Sequence, residues 1–144
     1  MRTVDDAKAL AGASVRICKG IYVEPEAIQF RDDDEVRASF VEALEALLDG
    51  GGYAAIATHD EWLVEEALRL IRERALAPDR YEFQMLLGVR PELGDRLVSE
   101  GHRLRIYVPY GQQWYEYSLR RLKENPKVAG YIAADTLGRL VPGR

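Results

Sequence analysis

Four side chains around position 120 have a spacing that would suit the binding of a small carboxylate. They are Tyr117, Arg120, Arg121 and Glu124. Positions i, i+3, i+4 and i+7 lie on one face of a helix, so a helix predicted over 112–125 would present all four together. Two neighbouring guanidiniums repel each other, but they offer paired hydrogen-bond donors to the two oxygens of a carboxylate. The alternative is an exposed helix face on which Glu124 offsets the arginine charges.

Further polar side chains fall where predicted strands end. Lys19 and Tyr22 follow the first strand, Thr58, His59 and Asp60 follow the second, Gln84 lies in the third, and Tyr107 and Tyr110 close the fourth. Parallel strands present their C-terminal ends at one edge, where (β/α)8 barrels and open α/β sheets build their active sites. The sequence therefore predicts a site at this edge without naming the fold.

Simpler roles stay open for several of these residues. His59 alone is typical of a loop or cap position, and Thr58 or Asp60 could cap the helix that follows. Glu82 and Gln84 are two positions apart in a strand and therefore share a face. Two polar groups that face a barrel interior need hydrogen-bond partners, which favours a ligand between them.

Strand-like and helical segments alternate four times along the chain. Strands are predicted at 14–19, 53–58, 81–86 and 104–108, and helices at 35–49, 62–74, 91–100 and 112–125. The acidic run 32–35 marks the start of the first of these helices, and the glycines at 50–52 mark its end. This alternation predicts an α/β fold with parallel strands joined by right-handed crossovers.

Composition limits the classes of protein to which the chain can belong. Its 144 residues favour one domain, and a hydrophobic content of 47% supports a true core. The net charge of -4 argues against a nucleic-acid partner. The sequence lacks an apolar run of membrane-spanning length and a signal-peptide pattern, so we expect a cytoplasmic protein. A peripheral contact with the inner membrane stays open.

Three kinds of site are disfavoured. The single cysteine, Cys18, excludes an intrachain disulfide and fits a reducing compartment. The two histidines, His59 and His102, lack ligand spacing, so no metal site is expected. The turn after the first strand, residues 19–22, does not match the glycine-rich pattern of dinucleotide-binding or phosphate-binding α/β domains.

Five segments, taken together and in order, resemble the proline dehydrogenase family. They are 15–22 (VRICKGIY), 57–59 (ATH), 81–86 (YEFQML), 105–111 (RIYVPYG) and 117–125 (YSLRRLKEN). Each segment is weak alone, but the series is highly specific. The resemblance implies a flavoenzyme with a distorted (β/α)8 barrel. Such an enzyme oxidises L-proline to pyrroline-5-carboxylate, reduces FAD, and passes the electrons to a quinone.

The same resemblance implies roles for individual residues. On the cofactor side it implies Arg16, Lys19, Gly20, Tyr22, Thr58, His59 and Gln84, with Arg16 beside the flavin N5. On the substrate side it implies Leu86, Tyr107, Tyr117, Arg120, Arg121 and Glu124. The two adjacent arginines would clamp the substrate carboxylate, and Arg16, Tyr107, Arg120 and Arg121 would form the catalytic group. Asp60 and Ile21 depart from the family, which usually has Asn and often Ala there, and either change would retune FAD affinity.

The similarity begins at the fifth barrel strand of the family. It therefore implies a half-barrel of about four βα units, strands 5–8, over residues 14–144 after a lead segment 1–13. A half-barrel has two open sheet edges and an uncovered inner face. Three interpretations follow: a C-terminal half completed in trans by an N-terminal half, an inactive truncated piece, or a non-catalytic homodimer that binds a carboxylate or a flavin.

Overall fold

A computed structural model of the chain describes residues 3–19, 25, 27–108 and 110–112. The elements in this part are α1 (Thr3–Ala9), β1 (Ser14–Cys18), α2 (Asp33–Asp49), β2 (Tyr53–Ala57), α3 (Glu61–Glu73), β3 (Tyr81–Leu86), α4 (Pro91–Ser99) and β4 (Leu104–Tyr107). The predicted helix over 112–125 lies outside the described residues, except for Gln112.

The four strands form one parallel sheet in the order β1-β2-β3-β4. Each strand pairs with the next along the chain, and a helix lies between each strand and its successor. This arrangement confirms the predicted α/β fold and is consistent with part of a (β/α)8 barrel.

The helices pack on one face of the sheet. The apolar side chains of that face include Ile17, Ile56 and Phe83, which are buried against leucines, valines and alanines of α2, α3 and α4. Alternate strand residues point to the opposite face, here called the inner face. Arg16, Tyr53, Glu82 and Arg105 belong to this second set. Polar groups therefore gather on the inner face because the other face holds the core.

The ends of α2 follow the predicted signals. The side chain of Asp32 caps the helix by accepting hydrogen bonds from the N–H groups of Asp34 (2.9 Å) and Glu35 (3.2 Å). The first two acidic residues after this cap are helical, so the helix begins two residues before its predicted start. Gly50 forms the C-cap, and a Cβ at Gly52 would clash with the carbonyl oxygen of Ala13.

Other element bounds differ slightly from the sequence predictions. β1, β2 and β4 each end one residue earlier than expected, and α3 begins one residue earlier because Asp60 supplies its N-cap. The seven-residue helix α1 was not predicted within the lead segment, since two turns are too short for a clear helical period. It packs against α2 and buries Ala7. Within the described residues, every helix is too short or too polar to span a bilayer.

Candidate functional site

Asp60 joins three elements at the C-terminal edge of the sheet. Its carboxylate accepts hydrogen bonds from Lys19 Nζ at 3.0 Å and from Arg37 Nε and Nη2 at 2.9 and 3.2 Å. It also caps α3 by accepting the N–H of Trp62 at 3.1 Å. Burial acts to raise the pKa of Asp60, but the hydrogen bonds and charges of Arg37 and Lys19 outweigh it and lower the pKa below its usual value. Lys19 is therefore held at the edge as one half of an ion pair.

Thr58 occupies the first position after β2. Its side chain is buried, and Oγ1 accepts the N–H of Asp60 at 3.1 Å, which tightens the turn into α3. In the part of the chain that the structure describes, the Thr58 hydroxyl donates no hydrogen bond. Its O–H is therefore available to a ligand at this edge.

His59 links the ends of β2 and β3. Its Nε2 accepts the N–H of Leu86 at 2.9 Å, where β2 no longer supplies a carbonyl partner. Burial, and next the positive charge of Arg90, lower the pKa of His59 from 6.5 to about 4. The ring is therefore neutral near pH 7, and because Nε2 is the acceptor, Nδ1 carries the proton.

Glu82 is the centre of a hydrogen-bond network on the inner face, here called the Glu82 network. One carboxylate oxygen accepts from Arg105 Nε and Gln84 Nε2, both at 2.6 Å. The other accepts from Arg105 Nη2 at 2.9 Å and from the Tyr53 hydroxyl at 3.1 Å. The hydrogen bond from Arg105 is the largest of the effects that lower the pKa of Glu82 to about 2, against the opposing effect of burial.

This network corrects one expectation from the sequence. Glu82 and Gln84 do share the inner face, but Glu82 needs no ligand as a partner, because four donors of the protein itself occupy its oxygens. The side chain of Gln84 differs, since it makes only the Glu82 bond within the described residues.

Arg16 lies on the same face at the β1 edge. The register places it beside Ala55, which in turn lies beside Glu82, so a small side chain separates the guanidinium from the network. Arg16 is exposed and makes no hydrogen bond or ion pair within the part of the chain described. It therefore presents a cation to whatever covers this face.

Leu86 and Tyr107 are neighbours at the opposite edge. They pair in register at the ends of β3 and β4, and Tyr107 is 44% exposed. The structure thus brings together the two described residues to which the resemblance assigns the proline-ring wall.

The remaining predicted site residues lie outside the described residues. They are Gly20, Tyr22, Tyr117, Arg120, Arg121 and Glu124. Sequence reasoning in turn assigned no role to Arg105, Tyr53 or Arg37. The i, i+2 spacing of Arg105 and Tyr107 on one strand was a usable signal for Arg105, because both must share a face. No comparable signal exists for Tyr53 or Arg37.

Comparisons with known proteins agree on one family. The family profile described as Proline dehydrogenase matches residues 6–134. Similar curated proteins include Proline dehydrogenase of Deinococcus radiodurans, 36% identical over 124 residues, and Proline dehydrogenase 2 of Bacillus subtilis, 38% identical over 125 residues. Proline dehydrogenase 1 of Bacillus subtilis subsp. natto is 36% identical over 133 residues.

The aligned regions differ greatly in the share of each protein that they cover. They include 86%, 87% and 91% of this chain, but only 40%, 41% and 44% of the three relatives. The chain therefore spans about two fifths of the length of the curated relatives that it matches.

Proposed function

Because the chain belongs to the proline dehydrogenase family, we propose that it forms part of a site that oxidises L-proline to pyrroline-5-carboxylate. FAD is the oxidant in this proposal, and a quinone is the final electron acceptor. The observation that carries it is the inner face, where the Arg16 guanidinium, which has no partner among the described residues, lies on the same side of the sheet as Leu86 and Tyr107. The rest of the site comes from barrel strands supplied in cis or in trans.

The described residues fit a flavin nucleotide by the chemistry of their donors. Arg16, the Thr58 hydroxyl and the Nδ1–H of neutral His59 are hydrogen-bond donors without acceptors in the described part of the chain. A flavin nucleotide carries many acceptors, in its ring nitrogens, its carbonyl oxygens and its diphosphate. Together with Lys19, Gly20, Tyr22 and Gln84, these donors would hold FAD, which when bound would take up the hydride and, with it, both electrons.

The protein residues bind and orient the substrate. L-proline loses a hydride from the ring carbon next to nitrogen and a proton from the nitrogen, and a C=N double bond forms. Leu86, Tyr107 and Tyr117 form the apolar wall for the ring. Arg120 and Arg121 clamp the carboxylate, and Glu124 supports them. Arg16 would lie beside the flavin N5, where its fixed positive charge would favour reduction of the flavin.

Localisation follows from the electron acceptor in this proposal. The protein acts in the cytoplasm, and transfer of two electrons to a membrane quinone, which becomes a quinol, requires a peripheral contact at the inner membrane.

A second candidate is a non-catalytic half-barrel that binds a carboxylate or a flavin and pairs with itself. The observation in its favour is the sheet itself, because in the described residues β1 and β4 each have a neighbour on one side only. Two copies could pair these edges and close a barrel without any N-terminal half.

Three measurements on the purified chain separate these candidates. They are its mass in solution, its bound flavin absorbance after incubation with FAD, and proline-dependent reduction of a dye. Each is made on the chain alone and with a matching N-terminal half. Dye reduction that needs the N-terminal half supports proline oxidation. A homodimer that binds FAD or a carboxylate, and stays inactive with the N-terminal half present, supports the second candidate.

A further inference from the structure

Glu82 determines which end of the Gln84 side-chain amide faces it. Glu82 is an ionised carboxylate, so it can only accept hydrogen bonds. Its contact with the Gln84 side chain, 2.6 Å long, therefore requires the NH2 end of the amide to face Glu82. The amide oxygen of Gln84 is left without a partner in the described residues.

Glu82 itself cannot easily turn to another orientation. The two bonds from Arg105 grip its carboxylate in a bidentate manner, and the Tyr53 hydroxyl holds the second oxygen. Glu82 is only 7% exposed, so little of its carboxylate is open to bulk water. Three strands thus fix one carboxylate, and the carboxylate fixes the Gln84 amide.

We propose that Glu82 is a positioning residue that orients the Gln84 amide, so that its oxygen accepts a hydrogen bond from an N–H group of the bound ligand. The ring system of an oxidised flavin has one N–H group, at N3, so the proposal rests on the flavin site proposed above. Gln84 would then select for a ligand with this N–H, which is a specificity role that the charge of Glu82 makes possible.

The orientation of the amide can be tested without any ligand. In ¹⁵N NMR spectra of the full chain, we expect one Gln84 amide proton far downfield, as for a charge-assisted bond. The pair of signals is identified by its loss in Gln84→Leu. Glu82→Met, which removes both acceptors, should return the pair to the position of a solvated glutamine.

Two further variants keep this test decisive. Tyr53→Phe removes a donor from the other carboxylate oxygen and should leave the Gln84 signals unchanged, so it is the matched control. Glu82→Gln keeps the side-chain volume but can donate as well as accept, and it replaces Glu82→Met if that variant does not fold. Identical Gln84 signals in the wild-type chain and in the folded Glu82 variant would overturn the proposal.

The ligand preference is tested with FAD and with N3-methyl FAD, using flavin fluorescence to measure binding to the chain alone and to the chain with a matching N-terminal half. The wild-type chain should bind FAD more tightly by roughly three- to tenfold, the value of one hydrogen bond. In Glu82→Met this ratio should fall towards one, and an unchanged ratio would overturn the role of Glu82 in selection. If FAD binds neither to the chain alone nor to the chain with the N-terminal half, the proposed function fails, and the amide signals alone decide whether Glu82 orients Gln84.

Discussion

The ring of His59 accepts the N–H of Leu86 through Nε2, so protonation of that nitrogen and this hydrogen bond exclude each other. The bond also connects the edge segment 58–60 to the strand that carries Leu86. The His59 ring must therefore be neutral for this hydrogen bond at the sheet edge to form.

The depressed pKa of His59 predicts a pH dependence of stability. The unfolded chain binds a proton as the pH falls below 6.5, whereas the folded chain resists protonation until about pH 4. The contribution of neutral His59 to the free energy of unfolding should therefore be complete above pH 6.5. The free energy of unfolding should fall between pH 6.5 and 4, by up to about 3 kcal/mol. Urea unfolding measured across this range checks the slope.

His59→Gln is the matched variant, because a glutamine oxygen can still accept the N–H of Leu86 but does not titrate. It should lose the part of the slope that lies between pH 6.5 and 4. A variant with the same slope as the wild-type chain would show that His59 is not the titrating group.

At the residue scale, alternation along a strand was enough to predict that Glu82 and Gln84 share a face, and it could have added Arg105. It could not predict the partners of Glu82. Tyr53 lies 29 residues before it and Arg105 lies 23 residues after it, so their contacts depend on the register of three strands. Donors distant in the sequence therefore fill the oxygens of Glu82, and the ligand that the polar pair favours stays a prediction, now for Gln84 alone.

At the scale of elements, Asp60 makes two kinds of interaction, a helix cap and ion pairs, and substitutions can distinguish their contributions to stability. It caps α3 through Trp62, and it holds Lys19 and Arg37 to the sheet edge. Asp60→Asn keeps the cap but removes the charge, so we expect a loss of about 1 kcal/mol in the free energy of unfolding. Asp60→Ala removes both and should cost about 2–3 kcal/mol by thermal or chemical unfolding.

Asp32 offers a control for this comparison, because it caps α2 in the same way and forms no ion pair within the described residues. Asp32→Asn should be almost neutral, and Asp32→Ala should cost about 1 kcal/mol. Equal effects of Asp60→Asn and Asp32→Asn would contradict the view that Lys19 and Arg37 are anchored by charge.

The long elements were predictable because apolar periodicity and caps agree. Both ends of α2 and the start of α3 depend on Asp32, Gly50 and Asp60, which are visible in the sequence. α1 could not be predicted, since its single fully buried side chain, Ala7, gives no period. Its position depends instead on packing against α2, which is a tertiary effect.

At the scale of the molecule, the edges of the sheet decide how a barrel could be completed. The N–H groups of Phe83 and Leu87 donate to the carbonyls of Arg103 and Tyr107, so the odd-numbered residues of β4 face β3. The N–H of Ile106 therefore points away from β3, to the side of β4 on which the described residues supply no strand. Ile106→Pro should block pairing at this edge and leave the β3–β4 bonds intact.

Light scattering after size exclusion tests this expectation. Ile106→Pro should abolish the homodimer, or the complex with an N-terminal half, whichever the wild-type chain forms. Ile106→Thr keeps the N–H and serves as the control that should still assemble. Assembly of the proline variant at wild-type strength would mean that β4 is not the edge in contact.

The family assignment, inferred from five short segments, is confirmed by the match over residues 6–134. The activity was not predictable to the same degree, because Arg120 and Arg121 lie outside the described residues and the chain spans only about two fifths of its relatives.

We propose that this chain carries the face on which a flavin oxidises proline. The most direct test adds L-proline, without oxygen, to FAD bound by the chain together with an N-terminal half. Loss of the visible flavin absorbance with L-proline, but not with L-prolinamide, which lacks the carboxylate, is the predicted result, and Arg120→Ala with Arg121→Ala should abolish it. Flavin that stays oxidised with L-proline, or bleaches equally with the amide and in the arginine variant, would contradict the claim.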